Sequence, residues 1–224
     1  MKEINKDTKI DPKFYELHEE DKVEGKYKTI CDIIETERSF HPKTLLDVGC
    51  GVGELTTFLN KNIEYTGVDN SKKRIDYARR KYKGKFIHSF GEELPFGNNT
   101  FDFVVLTEVI EHVENPLKLL KECRRILKVG GMFIGSTPNA TDINRVIKSV
   151  FRKDHGHIEH MHVFGSFEIK TTMKCAGFKD TKIIFTKFNL NWYKRKIKIY
   201  SSIMTKLLPN FADCIIFYGK NNEM

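Results

Sequence analysis

Between residues 44 and 137 of this 224-residue chain, short apolar runs and amphipathic stretches take turns. The apolar runs are 44–48 (TLLDV), 64–69 (EYTGVD), 85–90 (KFIHSF), 101–107 (FDFVVLT) and 131–137 (GMFIGST). Each is short and bounded by turn residues, so each reads as a strand. Stretches 53–61, 71–82 and 115–128 lie between most of them and read as helices. Strand-helix alternation of this kind predicts an α/β fold with a parallel sheet covered on both faces. Ser71 is placed to cap the second helix, and Pro116 suits the first turn of the third. Lys128-Val129-Gly130-Gly131 should end that helix and turn the chain into the next strand.

The flanks are less regular. Residues 12–38 predict two helical stretches, with Ile30, Ile33 and Ile34 spaced for one buried face. After Pro138 the pattern loosens. Residues 139–165 read as an insertion over the sheet, 166–176 as a helix, and 181–188 and 212–219 as two final strands. No apolar run approaches the roughly 18 residues of a spanning helix, and the first residues lack the apolar stretch of a signal peptide. The expected location is cytoplasmic. Cys31, Cys50, Cys123, Cys175 and Cys214 are scattered singly with no C-x-x-C pair, which predicts free thiols and no cysteine-based zinc site.

The turn after the first strand is LLDVGCGVGELT, residues 45–56. One glycine would be enough for a tight turn. Gly49, Gly51 and Gly53 at alternate positions argue for a ligand in close contact with main chain at the carboxyl edge of the sheet. A dinucleotide would want G-x-G-x-x-G and no carboxylate near its pyrophosphate. Here Asp47 precedes the glycines and Glu54 follows them, which favours a ligand that is cationic at this point. S-adenosylmethionine carries an ammonium and a sulfonium and no phosphate. Asp69, twenty residues after Gly49, ends the second strand, where an acid can accept hydrogen bonds from ribose hydroxyls.

LLDVGCGVGELT, then YTGVDNS, then EELPFGNNTFDFVVLTEVIEHVENPLKLLKECRRILKVGGMFIGSTPN resemble successive motifs of the class I S-adenosylmethionine-dependent methyltransferases. The resemblance is to the subgroup that includes the ubiquinone-biosynthesis methyltransferases, and it covers about residues 40–180. It implies a Rossmann-like, seven-stranded, mostly parallel sheet whose last strand is antiparallel. It implies S-adenosyl-L-methionine as cofactor, with Asp47, Gly49, Gly51 and Gly53 around the methionine moiety, Asp69 at the ribose, and Cys50 and Asn70 also in the cofactor site. Thr107 would lie near the methionine end. The family often has Gly-Asp-Ala before E-E-L-P-F, and this chain has Ser89-Phe90-Gly91, so a main-chain contact or ring stacking at Phe90 and Gly91 is expected to replace the acid at adenine. One domain is expected: N-terminal helices over 1–40, cofactor-binding core over 41–137, lid and acceptor region over 138–180, and final strands with a basic amphipathic helix over 181–224.

The sulfonium already activates the methyl group, so the protein's share is alignment, exclusion of water and, for an alcohol acceptor, a base. The candidates follow the fourth strand in LTEVIEHV: Glu108, Glu111 and His112. Glu108 and His112 are four apart and would share one face of a helical turn. His155, His157, His160 and His162 crowd into DHGHIEHMH. In one reading these histidines shape the acceptor pocket, with Glu111, His112, His157 and His160 as the catalytic group and no metal. In the other, Glu108, Glu111, His112 and one lid histidine bind a divalent cation, as in the small-RNA 3′-terminal ribose methyltransferases, whose motif is similar.

The formal charge of +8 is concentrated at the end of the chain, where residues 181–224 hold eight Lys/Arg against two Asp/Glu. Residues 181–212 contain no acid, and Tyr193, Ile197, Tyr200, Met204 and Leu207 recur at helical spacing. A helix docked on the domain edge with a solvated cationic face satisfies this pattern. So does a basic amphipathic helix over 190–208 in peripheral contact with an anionic membrane, or a lid for an acidic or lipid-linked acceptor. No nucleic-acid module accompanies the basic patch. The expected activity is methyl transfer to a small-molecule, sugar or lipid-linked acceptor, on oxygen. The alternatives are RNA ribose 2′-O-methylation and a cofactor-binding module without turnover.

Overall fold

The computed structural model describes residues 20–36, 44–150, 160–186 and 207–222. The first expected helical stretch, His157 and most of the basic helix expected over 190–208 lie outside these residues. Helix α1 (Glu20–Thr36) comes first. Strands β1 (Thr44–Val48), β2 (Glu64–Asp69) and β3 (Lys85–His88) follow, with α2 (Lys72–Lys81) between the last two. Then come β4 (Phe101–Thr107), α3 (Pro116–Ile126), β5 (Leu127–Pro138), α4 (Ile143–Val150), α5 (Ser166–Cys175), β6 (Lys179–Phe185) and β7 (Cys214–Lys220).

The strands form one seven-stranded sheet in the order β3-β2-β1-β4-β5-β7-β6. β3, β2, β1, β4 and β5 pair in parallel, and β7 runs antiparallel to both of its neighbours. The chain steps outward from β1 to β3 and then returns to β4 on the other side of β1. That reversal leaves a crevice beyond the carboxyl ends of β1 and β4.

Side chains of an extended strand alternate between faces, and here both faces are dry. Phe103 and Val105 of β4 pack in one layer with Leu45, with Ile30, Ile33 and Ile34 of α1, and with Ile75 and Ala78 of α2. Val104 and Leu106 pack in the other layer with Leu46 and Val48, with Leu119, Leu120 and Cys123 of α3, and with Ile169 and Met173 of α5. Truncating Leu119, fully buried, would cost about 2–5 kcal/mol.

Several boundaries differ from the sequence expectation for local reasons. The helix expected over 53–61 is a single 3-10 turn, Glu54–Thr57. Thr56 Oγ1 donates to Gly53 O (2.6 Å) and Thr57 Oγ1 to Glu54 O (2.8 Å). Asn60 then turns the chain through a bond from Asn62 N. Asn115 caps α3 by accepting from Lys118 N at 2.9 Å, and Pro116 occupies the first turn as expected. That helix stops at Ile126 rather than 128, because Leu127 is already extended and pairs with Phe101 of β4. The 139–165 stretch, read as an insertion with no element assigned, contains α4, whose start Asp142 holds through Asn144 N and Arg145 N.

Candidate active site

The carboxyl edge of β1 and β2 is built from local sequence. Asp47, 4% exposed, accepts a hydrogen bond from Tyr65 Oη at 2.7 Å. Burial pushes its carboxyl up to about 7; the Tyr65 bond opposes the shift and the neighbouring charge of Asp69 adds to it. Gly49 N and Cys50 N both donate to Val68 O, at 2.7 and 2.9 Å, which folds the loop back onto β2. Asp69 then clamps it: Oδ2 accepts from Gly51 N (2.9 Å) and Oδ1 from Ser71 N (2.8 Å). A carboxylate offers about four lone-pair positions, so two remain for a ligand. Ser71 also caps α2, at 3.5 Å from Arg74 N.

Two of the glycines serve different ends. Gly49 has φ +74°, and a Cβ there would lie 2.2 Å from Val109 Cγ2, so it is bare because the next loop presses on it. Gly51 has φ +55°, and a Cβ would meet nothing within 4 Å. Its bareness leaves space beside Asp69, the cradle a close-lying ligand needs. Asn70 is exposed and its carbonyl lies 3.0 Å from His88 Nε2. Phe90 is 62% exposed, and Gly91 backs onto Leu119 and Val48.

The edge beyond β4 is assembled from distant segments. Thr107 ends β4 with its Oγ1 buried and unpartnered. Glu108 follows at φ +54°, a conformation uncommon for a residue with a side chain. That turn breaks any helix, so Glu108 and His112 do not share a helical face. Glu108 Oε1 instead accepts from Ser136 Oγ (2.8 Å) and Cys214 Sγ (3.5 Å) and pairs with Lys26 Nζ of α1 (3.2 Å).

Glu111 is 1% exposed. Its Oε2 accepts from Thr137 Oγ1 at 3.1 Å, while Oε1 is buried with no hydrogen-bond partner, 4.0 Å from His112 Nε2. Burial, then the nearby charge of Glu108, raises the Glu111 carboxyl to about 8. Its main-chain carbonyl accepts from Met161 N (2.9 Å) and His162 N (3.2 Å), which draws the lid segment onto the loop. The His160 ring therefore meets the His112 ring edge-on, centroids 4.7 Å apart. Ligand atoms of Glu111, His112 and His160 all lie within 4.8 Å of one another. Such a group can accept a proton or hold a cation; Glu108, named with them from the sequence, is not a member.

Some residues of the site have roles that no spacing or residue pattern singles out. Tyr65 was invisible as the partner of Asp47. Tyr27 of α1 stands among the acids of the cleft: burial first, then Asp47, Glu54 and Glu108, push its hydroxyl far above the ordinary range. Ser136 and Thr137, at the end of β5, supply the donors to the two glutamates.

An open sheet in this strand order, a glycine loop after β1 and an acid ending β2 define the class I architecture of S-adenosylmethionine-dependent methyltransferases. Residues 46–135 match a family model described as a methyltransferase domain. An uncharacterized protein of Methanocaldococcus jannaschii is 33% identical over 149 residues, 64% of this chain and 68% of that protein. The demethylmenaquinone methyltransferase of Staphylococcus aureus is 37% identical over 97 residues, so the match spans 40% of that relative's length and 40% of this chain. Among solved structures, a SAM-dependent methyltransferase from Thermotoga maritima superposes with a TM-score of 0.66 at 21% identity, covering 88% of this chain and 89% of that one. One from Archaeoglobus fulgidus gives 0.62 at 19%, covering 94% and 100%. At such identities these two speak for the fold alone. The chain belongs to the S-adenosylmethionine-dependent methyltransferase family, and S-adenosylmethionine is its cofactor.

Proposed function

We propose that the chain transfers the methyl group of S-adenosylmethionine to a hydroxyl of a small-molecule, sugar or lipid-linked acceptor, with His112 as base. The observation that carries this is the orphaned Glu111 oxygen beside His112 and His160. A carboxyl with a pKa of about 8 is largely protonated at neutral pH and takes no charge-charge bond. When His112 accepts the acceptor's proton, an imidazolium forms 4.0 Å from Oε1, and Glu111 ionises beside it by releasing its own proton to solvent. The acceptor oxygen forms a bond to the methyl carbon, the carbon–sulfur bond breaks, and its electron pair stays on sulfur. The proton is left on the His112–Glu111 pair.

On the cofactor side, the same proposal assigns the cationic methionine end to Asp47 and the loop of Gly49, Cys50, Gly51 and Gly53, with Thr107 beside it. Ribose falls to Asp69 and Asn70, and adenine to the surface around Phe90 and Gly91. The free lone pairs of Asp69, the open space at Gly51 and the unpartnered Thr107 hydroxyl support this placement. An apolar or lipid-linked acceptor is favoured by Met161, Val163 and Phe167, which stand 61%, 56% and 75% exposed along the lid segment.

The decisive experiment is mass spectrometry of extracts incubated with the protein and methyl-labelled cofactor, where a labelled ether names the acceptor. Activity should survive EDTA. Loss with EDTA and recovery with manganese would replace the base by a cation on Glu111, His112 and His160. The lipid-linked reading extends to peripheral membrane contact through 190–208, on sequence grounds. Protein should co-sediment with phosphatidylglycerol vesicles at low salt and less at high salt, since each cation near such a surface contributes about 1 kcal/mol. Protein that stays in the supernatant at low salt would favour a soluble acceptor.

A further inference from the structure

At the other end of the sheet a cavity of about 570 Å³ opens where α3 stops, lined by Lys121, Arg124, Asn98, Asn99, Asn222 and Val129 among others. It lies at the edge where β4 and β5 begin, marked by the pairing of Phe101 with Leu127. The transfer site lies where β4 ends, about 20 Å away for a strand of this length. Among the described residues no carboxylate lines the cavity.

Lys121 and Arg124 are three apart on α3 and share a face. Neither pairs with a carboxylate among the described residues. Arg125, the third cation of the lining, is already matched by Glu122 at 2.7 Å and by the Phe96 carbonyl at 2.8 Å. Cations at a helix end ordinarily bind its last carbonyls. Here other donors have them: Leu127 N bonds Arg124 O, Asn99 N bonds Arg125 O, and Thr100 N bonds Ile126 O. Asn221 Nδ2 takes Leu127 O at 2.7 Å. The end of α5, on the facing wall, is closed in the same way by Ala176 N, Gly177 N and Phe178 N. Arg124 Nε is left buried with no partner, which is unfavourable for a cation until one is supplied.

We propose that this cavity binds a small phosphate ester, with the phosphate held by Arg124 and Lys121. The guanidinium fork matches a phosphate and the ammonium adds a second charge. Asn98, Asn99 and Asn222 present amides to hydroxyl groups of the ester, and Val129, 48% exposed, offers an apolar rest for its carbon skeleton. The volume suits a small metabolite. The site is separate from the methyl-transfer cleft and does not depend on the acceptor assigned there.

The test is titration calorimetry of the full chain with glycerol 3-phosphate at low salt. Saturable one-to-one binding is expected, and glycerol alone should give none. Lys121→Glu alters an exposed position and puts a carboxylate into the cavity; it should weaken binding at least tenfold. Arg124→Gln should do the same and Arg124→Lys less. Melting temperature and S-adenosylhomocysteine affinity of Lys121→Glu should match the wild type. No saturable heat with glycerol 3-phosphate would overturn the proposal. So would unchanged affinity in Lys121→Glu, or a parallel loss of S-adenosylhomocysteine binding in that variant.

Discussion

The two halves of the cleft are built on opposite principles. Around Asp47 and Asp69, each carboxylate already has a donor in the protein: Tyr65 Oη for the first, Gly51 N and Ser71 N for the second. Around Thr107 and Glu111, polar atoms are left over: Thr107 Oγ1, Glu111 Oε1 and His162 Nε2 are buried without partners. The first half comes from residues 47–71, adjacent in the chain. The second draws on Lys26, residues 107–112, Ser136, Thr137 and His160. A half whose carboxylates are already held by protein donors is preorganised for one ligand. A half with orphaned groups is finished only when cofactor, acceptor or the chemistry between them supplies the missing partner.

Substitutions can separate the halves. The largest effect is expected at His112. His112→Ala should lower kcat by about 10²–10⁴-fold, the usual scale for a lost base, and leave S-adenosylhomocysteine affinity unchanged. A fall in both would mean that the two halves are not independent.

Next comes Asp69→Ala, read by calorimetry with S-adenosylhomocysteine. Loss of about 1–3 kcal/mol in affinity is expected, because the clamp on Gly51 and the proposed ribose contact go together. Turnover at saturating cofactor should change far less than in His112→Ala. An unchanged affinity would remove Asp69 from the cofactor site.

The third effect is on stability and concerns pH. Glu111 and Asp47 have folded-state pKa values raised to about 8 and about 7 from ordinary values of 4.5 and 3.8. The folded form therefore holds these protons more tightly than the unfolded form. Their contribution to stability is complete below about pH 4 and is lost as pH rises toward 8. In cofactor-free protein, Glu111→Gln should be as stable as the wild type near pH 4.5 and more stable at pH 8.5, by on the order of 4 kcal/mol of unfolding free energy. Asp47→Asn should gain less, because Tyr65 already stabilises the Asp47 charge. Equal gains would erase the contrast between a matched and an orphaned carboxylate; a Glu111→Gln curve parallel to the wild type would show that Glu111 titrates normally.

Much of the architecture is legible in the sequence alone. Burial on both sheet faces demands apolar strands, so β1, β2 and β4 stand in the sequence with the bounds they have in the fold. Caps are local chemistry, which is why Ser71 and Pro116 sit where their residue types predict. The short turn at Glu54–Thr57 and the early stop of α3 were hidden because they depend on threonine back-bonding and on a strand pairing across the sheet.

By itself the sequence determined the glycine loop, the acids that flank it and the alternating elements, because each of these is specified by neighbours within a few residues. Only the tertiary structure decided how the acceptor half is wired. Glu108 and Glu111 are three residues apart and chemically alike, yet the left-handed turn at Glu108 sends one to Lys26 and Ser136 and leaves the other beside His112 and His160. Which carboxylate is matched and which is orphaned rests on Lys26, Ser136 and Thr137, residues brought in from other elements, and no spacing along the chain encodes those encounters.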